Sequence, residues 1–348
     1  MRPTVIDIAR EAGVSLATVD RVLNERPGVR DKTIRAVSDA ITRLGYVRDL
    51  AAANLARQRN YHMVFVLPDT ESQFVQTMCA ELETAATVAS TARTEIDVIR
   101  FPAEDPHALA TLLSSLPDQG VNGVAIMAPE TPILRDAIRA LKQRGLAVVA
   151  LVSDLPNTER DRFVGIDNCA AGRTSGILMG RFLGQGAQKV AVVAQSMLLR
   201  EAAERRLGFD DVIGRDFPLI QVLPTVESHG SPTQLRAVIG EVFAQNPDVR
   251  GVYLLGSGHR ALLRAIDDLG LSGQLVLIGH ELTPYARAAL QAGKMDAVIN
   301  QNVGHLVRSA LRVLRAKTDK TPIDAGQEQL RIEIIMRENL PLGPSDIG

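Results

Sequence analysis

Residues 13–24 hold the side chains whose types and spacing point most directly to chemistry. Gly13 and Ser15 are followed by Leu16, Ala17, Thr18, Arg21 and Asn24 on a short amphipathic run. An arginine one turn inside a helix, on the face of Ala17, reaches guanine O6 and N7 with two parallel hydrogen bonds. Ser15, Thr18 and Asn24 have small polar side chains that either bond phosphates or cap a helix. By spacing alone, an ordinary helical hairpin accounts for the same run. Further along, polar residues recur directly after apolar stretches: Pro68-Asp69, Ser153-Asp154, Asp167-Asn168, Gln195-Ser196, Gly256-Ser257-Gly258, His280-Glu281 and Asn300-Gln301-Asn302. Open α/β sheets bind ligands at the carboxyl ends of their strands, which makes these positions candidates for contact with a small molecule.

The elements that must position these residues are legible as periodicities. Thr4 precedes Val5-Ile6-Asp7, the pattern of a capping box, and Ile8, Ala9 and Ala12 form an apolar stripe at helical spacing. Gly13 breaks the run as a left-handed turn residue, and Ser15 caps a second helix from Leu16 to about Asn24. A third helix is predicted from Asp31 to Leu44, with Ile34, Val37, Ile41 and Leu44 on one face and Gly45 after it. Helix, tight turn and second helix make a helix-turn-helix, whose second helix enters the major groove. Residues 47–60 are polar and Ala-rich, without an apolar stripe, and read as a linker with helical potential.

From His62 onward, nine apolar runs alternate with helical patterns: His62–Leu67, Ile96–Phe101, Gly123–Ala128, Ala147–Val152, Lys189–Ala194, Leu219–Leu223, Gly251–Leu255, Leu275–Gly279 and Ala297–Gln301. The helical patterns include Ile133–Arg144, Ala171–Leu183 and Ala261–Leu269. Continuous apolar strands between helices predict parallel sheets covered on both faces, and nine strands predict two α/β lobes. The boundaries expected are a head over 1–46, a linker over 47–60 and a core over 61–340.

Charge follows the same division. Residues 1–60 carry 11 basic and 7 acidic side chains, leaving 28 and 33 for the other 288 residues. A basic head on an acidic body fits a head that meets a polyanion. An apolar content of 46% with 23% charged residues excludes disorder as the general state. No apolar stretch reaches the ~18 residues of a membrane span, and Asp7 and Glu11 fall where a signal peptide needs an apolar core. Two cysteines, Cys79 and Cys169, fit a reducing compartment, so a cytoplasmic protein without membrane contact is expected.

The run Thr4-Val-Ile-Asp7-Ile8-Ala9-Arg-Glu-Ala12-Gly13-Val14-Ser15-Leu16-Ala17-Thr18-Val19-Asp20-Arg21-Val22-Leu23-Asn24 closely resembles the DNA-binding signature of the LacI/GalR family of bacterial transcription regulators. Tyr46 and Ala51–Ala56 resemble that family's hinge, and residues 62–338 its ligand-sensing core, which is similar to periplasmic sugar-binding proteins of type I. The resemblance implies a small all-α helix-turn-helix head joined to a two-lobed α/β core with parallel sheets. It also implies a homodimer, with a tetramer as the larger alternative, on a pseudo-palindromic operator. Its DNA contacts fall on Thr4, Ser15, Leu16, Ala17, Thr18, Asp20, Arg21, Asn24, Asn54 and Leu55. Three sites depart from the family: Asp20 replaces a usual serine, Arg48-Asp49 a usual Pro-Asn, and Ala53 a usual arginine. Asp49 still caps a hinge helix. Leu55 matches the residue that wedges into the minor groove, where unstacking is offset by added contact. The other use of Leu55 is packing on its dimer mate.

The same resemblance places a small effector, a sugar or polyol, between the lobes, touched by Asp69, Phe74, Asp154, Arg205, Ser257, Glu281 and Gln301. Arg205 lies three residues before Gly208-Phe209, Glu281 replaces the usual Asp, and the usual Asn-Asp is absent at Gly256-Ser257, leaving Ser257 and His259 as nearby donors. Carboxylates, amides and an arginine suit hydroxyls, each of which both donates and accepts. With no Trp in the chain, Phe74 and Phe163 are the aromatic platforms, and Phe163 also reads as core. Asp167-Asn168 caps the next helix or touches the ligand. A sugar phosphate or nucleoside is the alternative effector, and activation the alternative to repression. The six histidines show no HxxH or HExxH spacing, and GxxxxGK[ST], GxSxG and a complete GxGxxG are all missing. No metal, cofactor or enzymatic activity is expected.

Overall fold

A computed structural model of the chain describes residues 3–23, 27–44, 60–91, 93–184, 186–324 and 326–342. Asn24, Gly45, Tyr46, Arg48, Asp49, Asn54, Leu55 and the linker 47–59 lie outside the described residues. The chain divides into two compact units, Met1–Arg59 and Asn60–Gly348.

The first unit holds α1 (Val5–Ala12), α2 (Leu16–Leu23) and α3 (Asp31–Leu44). Thr4 and Asp7 form the capping box: the Thr4 amide donates to Asp7 Oδ2 at 2.8 Å, and the Asp7 amide to Thr4 Oγ1 at 3.4 Å. Gly13 ends α1 at φ 65°, a conformation that costs a side-chain-bearing residue energy. Ile8, Ala9, Val19, Val37 and Ala40 form the small core. Ile34 is the exception to the expected face of α3: it is 40% exposed, and Ala40 is buried on that face instead.

The second unit is two α/β lobes. The first sheet, parallel in the order β2-β1-β3-β4-β5, contains β1 (Tyr61–Asp69), β2 (Thr94–Pro102), β3 (Gly123–Ile126), β4 (Ala147–Leu151) and β5 (Arg162–Val164). The second, in the order β11-β10-β9-β8-β6-β7, contains β6 (Gln188–Ala194), β7 (Ile220–Glu227), β8 (Val249–Leu254), β9 (Val276–His280), β10 (Ala297–Asn300) and β11 (Glu333–Ile335). All its pairings are parallel except β10 with β11, so one edge departs from the parallel expectation.

Helices cover both sheets: α4 (Gln73–Ser90), α5 (Pro106–Ser115) and α6 (Pro132–Gln143) in the first lobe, then α7 (Asn168–Leu183), α8 (Arg200–Asp216), α9 (Pro232–Gln245), α10 (His259–Asp268) and α11 (Pro284–Gln291) with the second. The last, α12 (Val303–Thr318), follows β10 but buries Leu306, Val307, Ala310, Val313 and Leu314 in the first lobe's core beside Met63 and Phe65. The chain then returns to β11. It therefore crosses between lobes three times, after β5, after β10 and after α12. The Arg312 guanidinium, on α12, bonds buried Glu328 at 2.7 and 2.9 Å ahead of the third crossing.

Candidate nucleic-acid interface and ligand cleft

In the head, α2 carries its inward face on Val19 and exposes Leu16, Ala17, Asp20 and Arg21. Positions 16, 17, 20 and 21 lie one turn apart in pairs, so they form one continuous solvent-facing strip. Leu16 is 51% exposed, which no packing requirement of the head explains. Ser15 and Thr18 bond each other at 2.8 Å, and the Thr18 amide donates to Ser15 Oγ at 3.2 Å, fixing the start of the helix. The Thr4 hydroxyl donates to Asp7 Oδ2 at 2.7 Å, and this bond holds the Asp7 carboxyl below its usual range. Thr4 and Ser15 thus bond the starts of α1 and α2, while Leu16, Ala17, Asp20 and Arg21 stay exposed.

In the core, strand ends of both lobes open on a cleft of about 1260 Å³. Asp69, Phe74, Ser257 and Glu281 line it. Asp69 accepts from Arg100 Nη2 at 3.1 Å, and Arg100 also bonds the Pro68 and Thr70 carbonyls, which fixes the end of β1. Phe74 is 8% exposed, part of the first lobe's core as well as the cleft wall. Ser257 and Ser72 touch across the cleft at 3.2 Å.

Arg205 and Gln301 do not line the open space but sit behind Glu281. Arg205, 2% exposed, donates to Asn168 Oδ1 at 2.9 Å, the Leu255 carbonyl at 2.8 Å and Glu281 Oε1 at 3.4 Å. Gln301 Nε2 donates to the same Glu281 oxygen at 2.9 Å. Burial raises the Glu281 pKa, and Arg205 and Gln301 pull it back. Glu281 also holds φ at 70°, a strained conformation for a residue with a side chain.

Asp154 lies outside the cleft lining, and Arg160 donates to both its oxygens at 2.5 and 2.7 Å, because the loop after β4 folds back on itself. Phe163 packs on the first lobe's core and is likewise absent from the lining. Asp167 caps α7 through the Ala170 amide at 2.8 Å, while its neighbour Asn168 supports Arg205.

Sequence reasoning missed Gln73, His229, Arg260 and Arg264, which line the cleft together with Gln195 and His259, named from sequence only as a strand-end candidate and a nearby donor. His259 is 4% exposed, both its ring nitrogens lack a partner, and burial alone lowers its pKa to about 4. His280 accepts or donates to the Tyr253 hydroxyl at 2.8 Å, and burial, then Arg205, keep it well below its usual pKa. The signal available was the position of His259 directly after Gly256-Ser257-Gly258 at a strand end. One three-residue group with metal-ligand geometry, His62, Glu95 and Asp97, lies at the opposite, amino-terminal ends of β1 and β2, where His62 and Asp97 already bond at 2.8 Å.

A helix-turn-helix head and a two-lobed α/β core with a cleft between strand ends define the architecture. Residues 63–322 match the periplasmic binding protein domain, and the chain belongs to that family; residues 4–49 match the bacterial regulatory proteins of the lacI family. Catabolite control protein A of Priestia megaterium is 29% identical over 168 residues, so the match spans 48% of this chain and 48% of that relative. The ribose operon repressor of Halalkalibacterium halodurans is 25% identical over 344 residues, 96% of each chain. Among solved structures, a glucose-galactose binding protein, GanP, from Geobacillus stearothermophilus has 19% identity and a TM-score of 0.71, covering 82% of this chain and 100% of that one. A LacI regulator from Bacteroides fragilis, described as putative, has 14% identity and a TM-score of 0.71, covering 81% and 98%. These likenesses show the fold. No helix among the described residues is long and apolar enough to cross a membrane.

Proposed function

We propose that this chain is a non-enzymatic, cytoplasmic transcription repressor that binds a pseudo-palindromic operator as a homodimer and is controlled by a polyhydroxylated effector in the interlobe cleft. One observation carries the effector reading. Among the described residues, the buried side-chain atoms without a partner are those of Gln73, Glu201, His259, His280, Glu281 and Gln301. Three of these residues line the cleft, Gln301 bonds Glu281 and His280 precedes it. Buried polar atoms are ordinarily paired, so this concentration marks groups that wait for a ligand. Four of the unpaired atoms are oxygens of Gln73, Glu201, Glu281 and Gln301, which accept hydrogen bonds, and hydroxyls supply the donors.

A relative named as a repressor, and a related fold bound to α-D-tagatopyranose in a solute-binding protein from Agrobacterium vitis, support the same reading. On the DNA side, Leu16, Ala17, Asp20 and Arg21 form the reading strip, with Asn24, Asn54 and Leu55 as further contacts. The test is selection of DNA from a random pool by the full chain, followed by mobility shift. Inverted half-sites are expected, with binding that weakens steeply as salt rises. Selected DNA without inverted symmetry overturns the dimeric-operator reading.

A further inference from the structure

The helix α10 (His259–Asp268) begins at the cleft without a cap. Gly258, the residue before it, has φ 121°, and a Cβ there would lie 3.2 Å from Leu235 Cδ1, so no capping side chain fits. No acidic residue occupies the first turn of α10. The N-terminus of α4 (Gln73–Ser90) faces it: Ser72, before α4, makes no capping bond and touches Ser257 at 3.2 Å. Two uncapped helix N-termini therefore meet in one cleft, and each end carries partial positive charge and unpaired amides.

Two further observations at this place point to a ligand. His259, the first residue of α10 and 4% exposed, lines the cleft with both ring nitrogens unpartnered. Arg260 and Arg264, one turn apart on α10, also line it. Arg260 lies over the Tyr285 ring at 5.5 Å, and Arg264 has no carboxylate within 4.0 Å among the described residues. Glu281 is the one acidic residue that the second lobe presents to the cleft, and it is bonded to Arg205 and Gln301. Asp69, Glu71 and Glu104 line the wall of the first lobe.

We infer that the N-termini of α4 and α10, with His259, Arg260 and Arg264, form an anion subsite, and that the effector is a polyol bearing an oxyanion: a sugar acid or a sugar phosphate. This rests on the reading of the cleft as the effector site. The hydroxyl end fills the floor at Glu281, backed by Gln301, and the anion lies against the amides and arginines of α10. Helix N-termini bind carboxylate and phosphate alike, so the shared chemistry is the oxyanion.

Inorganic phosphate is the deciding probe, titrated into the full chain at ionic strength held constant with chloride while the Tm of the core is followed. A saturable rise in Tm is expected in the natural chain. It is at least halved in Arg264→Gln and abolished in Ser257→Asp, which sets a carboxylate against the N-terminus of α10. No rise in the natural chain, or an equal rise in all three proteins, overturns the subsite. Phosphate held by the basic head persists in both variants and is separated in this way. A second arm compares D-ribose with D-ribonate and with D-ribose 5-phosphate. Tighter binding of one charged form, tenfold or more, assigns the anion as carboxylate or phosphate. Preference for the neutral sugar overturns the subsite while leaving the proposed function standing, and loss of operator binding in the DNA assay strikes the proposed function alone.

Discussion

The exposed strip of the head and the buried floor of the cleft hold their polar side chains in opposite ways. Leu16, Ala17, Asp20 and Arg21 are exposed on a helix whose start is fixed by Ser15 and Thr18. At the cleft, Glu281 and His259 and the Arg205 and Gln301 side chains behind Glu281 are all buried, and Glu281, Gln301 and His259 keep polar atoms without a partner. There, recognition and stability share the same atoms. A substitution on the strip changes affinity and spares the fold, whereas one on the floor changes both.

The largest effect is expected at Arg205. Removing one partner of a buried pair leaves an uncompensated charge, at about 3–5 kcal/mol. Arg205→Ala, read by urea unfolding of the core, is expected to lose about that much and to lose the effector response. The double variant Arg205→Met with Glu281→Leu recovers most of the stability but not the response. If Arg205→Ala unfolds at the natural urea midpoint, the floor is not coupled to the fold.

Next comes acid sensitivity. His259 titrates near 6.5 when unfolded but near 4 in the folded core, so the unfolded chain binds more protons between these values. The stability contribution is full above pH about 6.5 and falls as pH drops toward 4, by up to about 3 kcal/mol. His259→Leu is expected to flatten this window in unfolding curves taken from pH 7 to pH 4. An unchanged slope places the acid sensitivity elsewhere.

On the strip, Arg21→Ala is expected to cost about 1–3 kcal/mol of operator affinity, relaxing selectivity at one base pair, with the Tm of the head unchanged. A fall in Tm instead makes Arg21 structural. Smaller still is the cap: Thr4→Ala is expected to cost the head ~1 kcal/mol by removing the bonds with Asp7. Unaltered thermal unfolding of the head contradicts a capping role.

The same contrast explains what the sequence made legible. The head's caps, its turn at Gly13 and the exposed strip follow from local spacing, because each depends on residues three or four apart. The parallel sheets followed from long apolar runs, yet β5 (Arg162–Val164) and β11 (Glu333–Ile335) are three residues each and carry no such run. The antiparallel edge at β11 depends on a chain return after α12 that no local period records. Ile34 has the right spacing and the wrong face, since the inward row of α3 runs through Val37 and Ala40. In the cleft, Asp154 sits at a strand end like Asp69, but Arg160, six residues on, claims it. His259 matters through its lack of partners, which is a property of the packed core rather than of its neighbours in sequence.

Coupling between the two units, by which one molecule in the cleft changes operator binding by the head, is the core of the proposed function. It is tested most directly by fluorescence anisotropy of the full chain on its selected operator, with neutral, acidic and phosphorylated sugars added in turn. One of these is expected to change the operator Kd about 5–150-fold, the ~1–3 kcal/mol typical of coupled sites. Operator should change the affinity for that sugar by the same factor. An operator Kd unmoved by any polyol of the series, with the DNA still bound specifically, contradicts the account.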